Sequence, residues 1–214
     1  MKNVILTGSS GGIGNAIAGV LKGNGYSILP ISSRMENLQS LESEVKSILS
    51  ANKLDVLINC AGFGVFRPHE EISPYDIKKM VDVNLTAPLV LTGLCLRALK
   101  ASGGSIINIS SIEATRHSKF SALYTATKSG LRDFSLSLFE EVRKSGVRVT
   151  SINPDITDTP FFDNLSFGPG EDESSFLNTN DVARAVLTVL QGAGVITDLT
   201  IRPQRAGVKK MPRR

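Results

Sequence analysis

The sequence is poor in the residues that staple or ligate. Of its 214 residues only two are cysteine and two are histidine. Cys60 and Cys95 sit in apolar runs, and neither has a second cysteine or a histidine at metal-ligand spacing. A disulfide framework is excluded, no metal-ligating residues are assigned, and two buried free thiols are expected. His69 and His117 stand alone in expected loops, where a solvated imidazole is the ordinary outcome. Long apolar runs are also lacking. No stretch reads as a membrane span, and the run after Met1-Lys2-Asn3 is too short for the core of a secretion signal. A reducing cytoplasm and no membrane partner are expected. Repeats and low-complexity linkers are absent as well, which leaves one domain with length enough for a sizeable core.

The net charge of +4 would suggest nucleic acid, but it is unevenly placed. Arg202, Arg205, Lys209, Lys210, Arg213 and Arg214 cluster at the end with no acid among them. Setting those six aside leaves 18 of the 24 basic residues against 20 acidic ones, a body charge of −2. The division is therefore a domain over 1–203 and a basic, solvated tail over 204–214, with no nucleic-acid partner expected.

What is present is alternation. Val4-Ile5-Leu6, 27–31, 54–58, 105–109, 147–152 and 195–201 read as short buried strands. Helical patterns over 13–22, 36–49, 74–100, 120–144 and 180–191 separate them, with a break or kink expected between Val83 and Pro88. Apolar strands alternating with helices give an α/β fold: a doubly wound, Rossmann-like parallel sheet of six strands. Ligands of such sheets bind beyond the carboxyl ends of the strands.

The unusual residues stand there. The first strand runs straight into Thr7-Gly8-Ser9-Ser10-Gly11-Gly12-Ile13-Gly14, which opens the first helix. Bare backbone N–H groups at a helix N-terminus suit a pyrophosphate, and side chains would block its approach. Gly8, Ser10, Gly12, Ile13 and Gly14 are the candidate cradle. Later strands end in Asn59-Cys60-Ala61-Gly62, in Ser110-Ser111 and in Asn153-Pro154-Asp155-Ile156-Thr157-Asp158-Thr159. Tyr124 and Lys128 lie four apart on one helix face. A phenol with a pKa of ~10 is a poor base near neutrality, and a cation one turn away favours its ionised form.

Taken in order, these segments resemble the short-chain dehydrogenase/reductase family. Gly8, Gly12 and Gly14 match TGxxxGxG, 59–62 resemble NNAG, Tyr124 to Lys128 match YxxxK, and 153–159 are similar to the PGxxxT segment. The resemblance implies a catalytic set of Asn84, Ser111, Tyr124 and Lys128, with Ser110 as the rival serine. Tyr124 would be the general acid or base. Ser111 would hold the substrate oxygen, Lys128 the nicotinamide ribose, and Asn84 a water linking Lys128 to solvent. It further implies cofactor contacts from Asn59, Ala61, Gly62, Tyr124, Lys128, Pro154, Ile156 and Thr159. The partners implied are a small carbonyl or alcohol substrate and further copies of the chain, as homodimer or homotetramer. A regulator or scaffold that keeps the fold without turnover is the alternative, against which the full catalytic set speaks.

After the second strand come Ser32-Ser33-Arg34, with no acid at the strand end. Two hydroxyls and a guanidinium suit a ribose 2′-phosphate, so NADP(H) is expected over NAD(H), with Arg34 on the phosphate. Two departures stand out. Between Arg34 and Asn59 there is room for only one helix and one strand, so an edge strand–helix unit usual in the family is missing. Asp155 also stands where the family usually has glycine. The aromatics Phe161, Phe162, Phe167 and Phe176, interleaved with Gly168-Pro169-Gly170, form either a lid over an apolar substrate or a loop packed on the sheet.

Overall fold

The computed structural model describes residues 1–210. Six parallel strands form the central sheet: β1 (Lys2–Leu6), β2 (Tyr26–Pro30), β3 (Val56–Asn59), β4 (Ser105–Ile109), β5 (Arg148–Pro154) and β7 (Asp198–Ile201), in the order β2-β1-β3-β4-β5-β7. Between the last two of these in sequence lies β6 (Phe167–Pro169). It pairs antiparallel with β8 (Val208–Lys210) in a separate two-stranded sheet. The helices are α1 (Gly12–Gly23), α2 (Leu38–Ala51), α3 (Pro74–Val81), α4 (Ala87–Ser102), α5 (Ala122–Val142) and α6 (Thr179–Gln191).

Successive residues of a strand point to opposite faces, and this divides the core in two. Ile106 of β4 packs with Leu41 and Val45 of α2, Leu91 and Leu99 of α4, and Leu138 of α5. Its neighbour Ile107 packs with Ile17 and Leu21 of α1 and Val186 and Val189 of α6. Each such side chain, wholly buried, contributes about 1.5–3 kcal/mol relative to exposure. Both faces are covered, so the strands read as continuous apolar runs.

The sheet begins at β2, which has β1 on one side and, among the described residues, no strand on the other. This is where the absent strand–helix unit would have paired. Its loss shortens the sheet at one edge and leaves β1, β3 and β4 at the centre.

The expected break before Pro88 takes a specific form. Asp82–Thr86 is a π turn joining α3 to α4, so the chain bulges without interrupting the helix. A widened turn accommodates the missing proline N–H and turns Asn84 inward, where it is fully buried. By length and composition alone, the continuous stretch Pro74–Ser102 is long and apolar enough to cross a membrane. That corrects the expectation that no stretch approaches a span. Its apolarity is used inside the fold, since Met80, Ala87, Leu91, Cys95 and Leu99 are core residues.

The turn after β1 depends on two glycines. Gly8 adopts a φ of +68°, and a Cβ there would come within 2.9 Å of the Ala61 backbone. At Gly14 a Cβ would lie 2.0 Å from the Gly8 carbonyl oxygen. Gly19, on the same helix, has nothing within 4 Å of the corresponding point. Gly14→Ala should therefore lower stability by about 2–4 kcal/mol, while Gly19→Ala should raise it by up to about 1 kcal/mol through helix propensity alone. Thermal unfolding of the two variants checks this, and equal midpoints would contradict the close approach.

Candidate active site

The carboxyl ends of β1, β3, β4 and β5 open into one cavity of about 1270 Å³. Its walls include Gly8, Ser10, Gly12, Ile13, Gly14, Ala61, Gly62, Ser111, Tyr124, Lys128, Pro154, Ile156 and Thr159. Thirteen residues singled out from sequence thus meet around one space, though they come from segments up to 151 positions apart. Helix α1 has no side-chain cap, so its first N–H groups face the cavity without a hydroxyl or carboxylate to satisfy them. A bare helix start in a glycine cradle fits a dinucleotide pyrophosphate.

Asn59, expected at the cofactor, is not among the residues lining this cavity. Its side chain does not reach the cavity. It is buried beneath the β3 end, where its amide donates to Asn108 at 2.8 Å and to Thr92 at 3.4 Å. Asn108 in turn donates to Ser135 at 2.8 Å. Asn59 therefore ties α4, β3, β4 and α5 together beneath the site. Thr7 plays a comparable part that the sequence reading missed. Its hydroxyl accepts from the backbone of Cys60 at 2.9 Å and Ala61 at 3.0 Å, fixing the β3 loop to the glycine turn. Arg34 also lies off the cavity wall, exposed in the connection from β2 to α2.

Lys128 is buried, and its ammonium donates to the Ile109 carbonyl at 2.9 Å. It also lies 5.8 Å from the Tyr124 ring centre. Burial pulls its pKa down to about 8, against a smaller opposing effect from Cys60. Burial pushes the Tyr124 phenol up to about 12; the adjacent Ser111 hydroxyl lowers it and the Glu113 carboxylate raises it. The two serines separate cleanly. Ser110 spends its hydroxyl on the Lys128 carbonyl at 2.8 Å, while Ser111 is the serine beside the phenol. Asn84 clamps the β3 loop, accepting from the Phe63 N–H at 3.1 Å and donating to the Phe63 carbonyl at 2.8 Å and to Thr127 at 3.2 Å. Its side-chain oxygen and the Lys128 ammonium both border Gly62. Cys60 lines the same cavity, and burial pushes its thiol up to about 12 with Lys128 opposing, so it stays protonated.

The chain from Ser111 to Tyr124 is held by a buried carboxylate that the sequence did not flag. Glu113 accepts from Arg116 at 2.9 Å, Ser118 at 2.8 Å and Ser121 at 3.0 Å. Asp155, the residue in place of glycine, is buried too. It accepts from the Ile156 N–H at 2.9 Å, Arg202 at 3.0 Å and Arg116 at 3.5 Å. Its charge is thus matched at the cavity wall. His117 is exposed and away from the lining.

The opposite wall is aromatic. Phe66 lies 5.1 Å from Tyr124 with the rings tilted and 5.0 Å from Phe167 edge to face, and Phe161 lies 6.0 Å from Tyr124. Phe161, Phe162 and Phe167 all line the cavity, and Phe176 does not join them. The described residues of the basic tail are mostly exposed, yet they form a strand. β8 pairs with β6, Lys209 meets Glu171 at 2.7 Å and Arg205 meets Asp172 at 3.2 Å. The tail thus backs the strand that carries Phe167. Arg213 and Arg214 lie outside the described residues.

The description short chain dehydrogenase matches residues 45–168. The chain belongs to this family. An uncharacterized oxidoreductase of Staphylococcus epidermidis is 31% identical across 94% of this chain and 97% of its own. A Staphylococcus aureus relative described in the same words is 30% identical over the same shares. An alcohol dehydrogenase from Thermococcus sibiricus, complexed with 5-hydroxy-NADP, shares the fold with a TM-score of 0.87, 24% identity and coverage of 97% and 99% of the two chains. A 3-ketoacyl-(acyl-carrier-protein) reductase from Brucella melitensis, complexed with NADH, has a TM-score of 0.82 at 20% identity, covering 94% and 96%. This short-chain dehydrogenase is an oxidoreductase with a Rossmann-like α/β fold.

In this short-chain dehydrogenase the buried ammonium has a stability signature. Below a pH of about 8 Lys128 is charged in both folded and unfolded chains, and the full burial cost is present. Between about 8 and 10.5 the folded form has shed its proton and the cost shrinks. Lys128→Met should melt at the same temperature as the parent or several degrees higher at pH 7. Any gain should diminish on going to pH 10. A large fall in melting temperature at pH 7 would contradict this.

Proposed function

We propose that the protein is an NADP(H)-dependent oxidoreductase that transfers a hydride between nicotinamide and a carbonyl or secondary alcohol carbon, with Tyr124 as the general acid or base. The observation that carries this reading is the convergence of Ser111, Tyr124 and Lys128 on one cavity with an uncapped glycine-rich helix start. Bound at that start, the dinucleotide supplies or accepts the hydride.

In the reducing direction the Ser111 hydroxyl donates to the substrate carbonyl oxygen and positions it beside the phenol. As hydride reaches the carbonyl carbon, the C=O π pair moves onto oxygen, and Tyr124 gives that oxygen its proton. An alcohol forms and a phenolate is left, facing the Lys128 ammonium. Lys128 steadies the phenolate until solvent returns the proton. Asn84 positions the loop that borders Lys128, and Asn59 stiffens the sheet beneath it. Oxidation of an alcohol runs the same steps backwards. The aromatic wall suits a ketone with an apolar substituent.

NADPH oxidation against a panel of ketones, aldehydes and acyl thioesters tests the activity. Tyr124→Phe should reduce turnover by about 100-fold or more while NADPH affinity stays within several-fold. Full activity in that variant would remove the phenol from the mechanism. Arg34→Ala should shift the cofactor ratio toward NADH by about tenfold, the effect of losing one charge-assisted contact. An unchanged ratio would take Arg34 off the phosphate.

A further inference from the structure

At the end of β2, Ser32 and Ser33 close around a carboxylate that comes from another element. Glu44 lies nearly two turns into α2. One of its oxygens accepts from the Ser32 N–H at 2.8 Å and the Ser32 hydroxyl at 2.6 Å, and the other accepts from the Ser33 N–H at 2.8 Å. Two consecutive backbone N–H groups and a hydroxyl aimed at one anion form a nest, a donor arrangement that also suits phosphate oxygens. Partial burial pushes the Glu44 carboxyl up, but the hydrogen bonds from Ser32 and Ser33 outweigh it and hold it at about 2. Among the described residues no lysine or arginine pairs with Glu44, so dipoles alone answer its charge. Arg34, the next residue along the chain, is exposed and in no ion pair among the described residues.

The place of this nest matters. Pro30, the last residue of β2, is in register with Leu6, just before the glycine turn. The nest therefore lies beside the glycine turn at the sheet edge, toward which the adenosine half of a dinucleotide extends. We propose that Glu44 is an internal occupant of the seat for the adenosine 2′-phosphate, and that its competition with that phosphate sets the contrast between NADP(H) and NAD(H). The inference rests on the cofactor reading above. A cofactor with a bare 2′-hydroxyl leaves Glu44 in place. A 2′-phosphate takes over the Ser32 and Ser33 donors, and the displaced carboxylate turns to solvent.

Glu44→Gln keeps the shape and removes the charge, and Glu44→Ala removes the occupant altogether. Glu44 is only half-buried, so both variants should fold, which circular dichroism would verify. Calorimetric titration with NADPH, NADH and adenosine 2′,5′-bisphosphate reads the seat without turnover. Both variants should bind NADPH and the bisphosphate about 5- to 50-fold more tightly than the parent, and NADH within about twofold, as expected when a competing anion is withdrawn. If NADPH affinity is unchanged or falls, or if NADH alone weakens, Glu44 is no competitor and the proposal fails while the cofactor reading stands. If neither dinucleotide binds the parent or the variants, the cofactor reading fails and the seat fails with it.

Discussion

A cationic amine kept out of water is the constraint around which the site is arranged. The Lys128 ammonium is buried at the cavity wall and, among the described residues, has one direct hydrogen-bond acceptor, the Ile109 carbonyl at the end of β4. Burying a charge is costly unless neighbouring groups answer it. Here the answer is a carbonyl, a phenol ring and the amide of Asn84 across Gly62. Each comes from a different element, so the elements must meet with little freedom. The amide chain Thr92–Asn59–Asn108–Ser135, the Thr7 hydroxyl and the π turn that aims Asn84 supply that rigidity. Burial pushes the phenol up to about 12 and pulls the amine down to about 8, so the phenol holds its proton for the substrate oxygen while the amine parts with its own more readily. The same burial that strains the pair energetically prepares it chemically.

Much of this was legible in the sequence, for definable reasons. Buried parallel strands announce themselves as short apolar runs, and β4 falls on the expected 105–109. The glycines, the serine pair and the Tyr124–Lys128 spacing are local signals, because a turn, a strand end and one helix face are local objects. The edge position of β2 followed from counting residues between Arg34 and Asn59.

What stayed hidden was long-range. Asn59 was expected at the cofactor, but which way a strand-end side chain points depends on partners such as Asn108, 49 positions away. Glu44 looks like an ordinary acid in sequence, and only the fold brings it the donors of Ser32 and Ser33. Glu113 looks equally ordinary, although its three donors lie within eight positions. The pairing of β6 with β8 joins three-residue strands about 40 positions apart, with no periodicity to reveal them. The ion pairs of the basic tail stayed hidden for the same reason, since its partners Glu171 and Asp172 are distant in sequence and near in space.

The central claim is that hydride passes between nicotinamide and a carbonyl carbon held at Tyr124. Incubation of the protein with NADPH deuterated at the transferring face of nicotinamide C4 and a mixture of apolar ketones tests it most directly, with mass spectrometry of the alcohols formed. Deuterium should appear on the carbinol carbon of at least one product. NADPH bound by the protein, with no deuterated alcohol from any ketone, aldehyde or thioester offered, would contradict it.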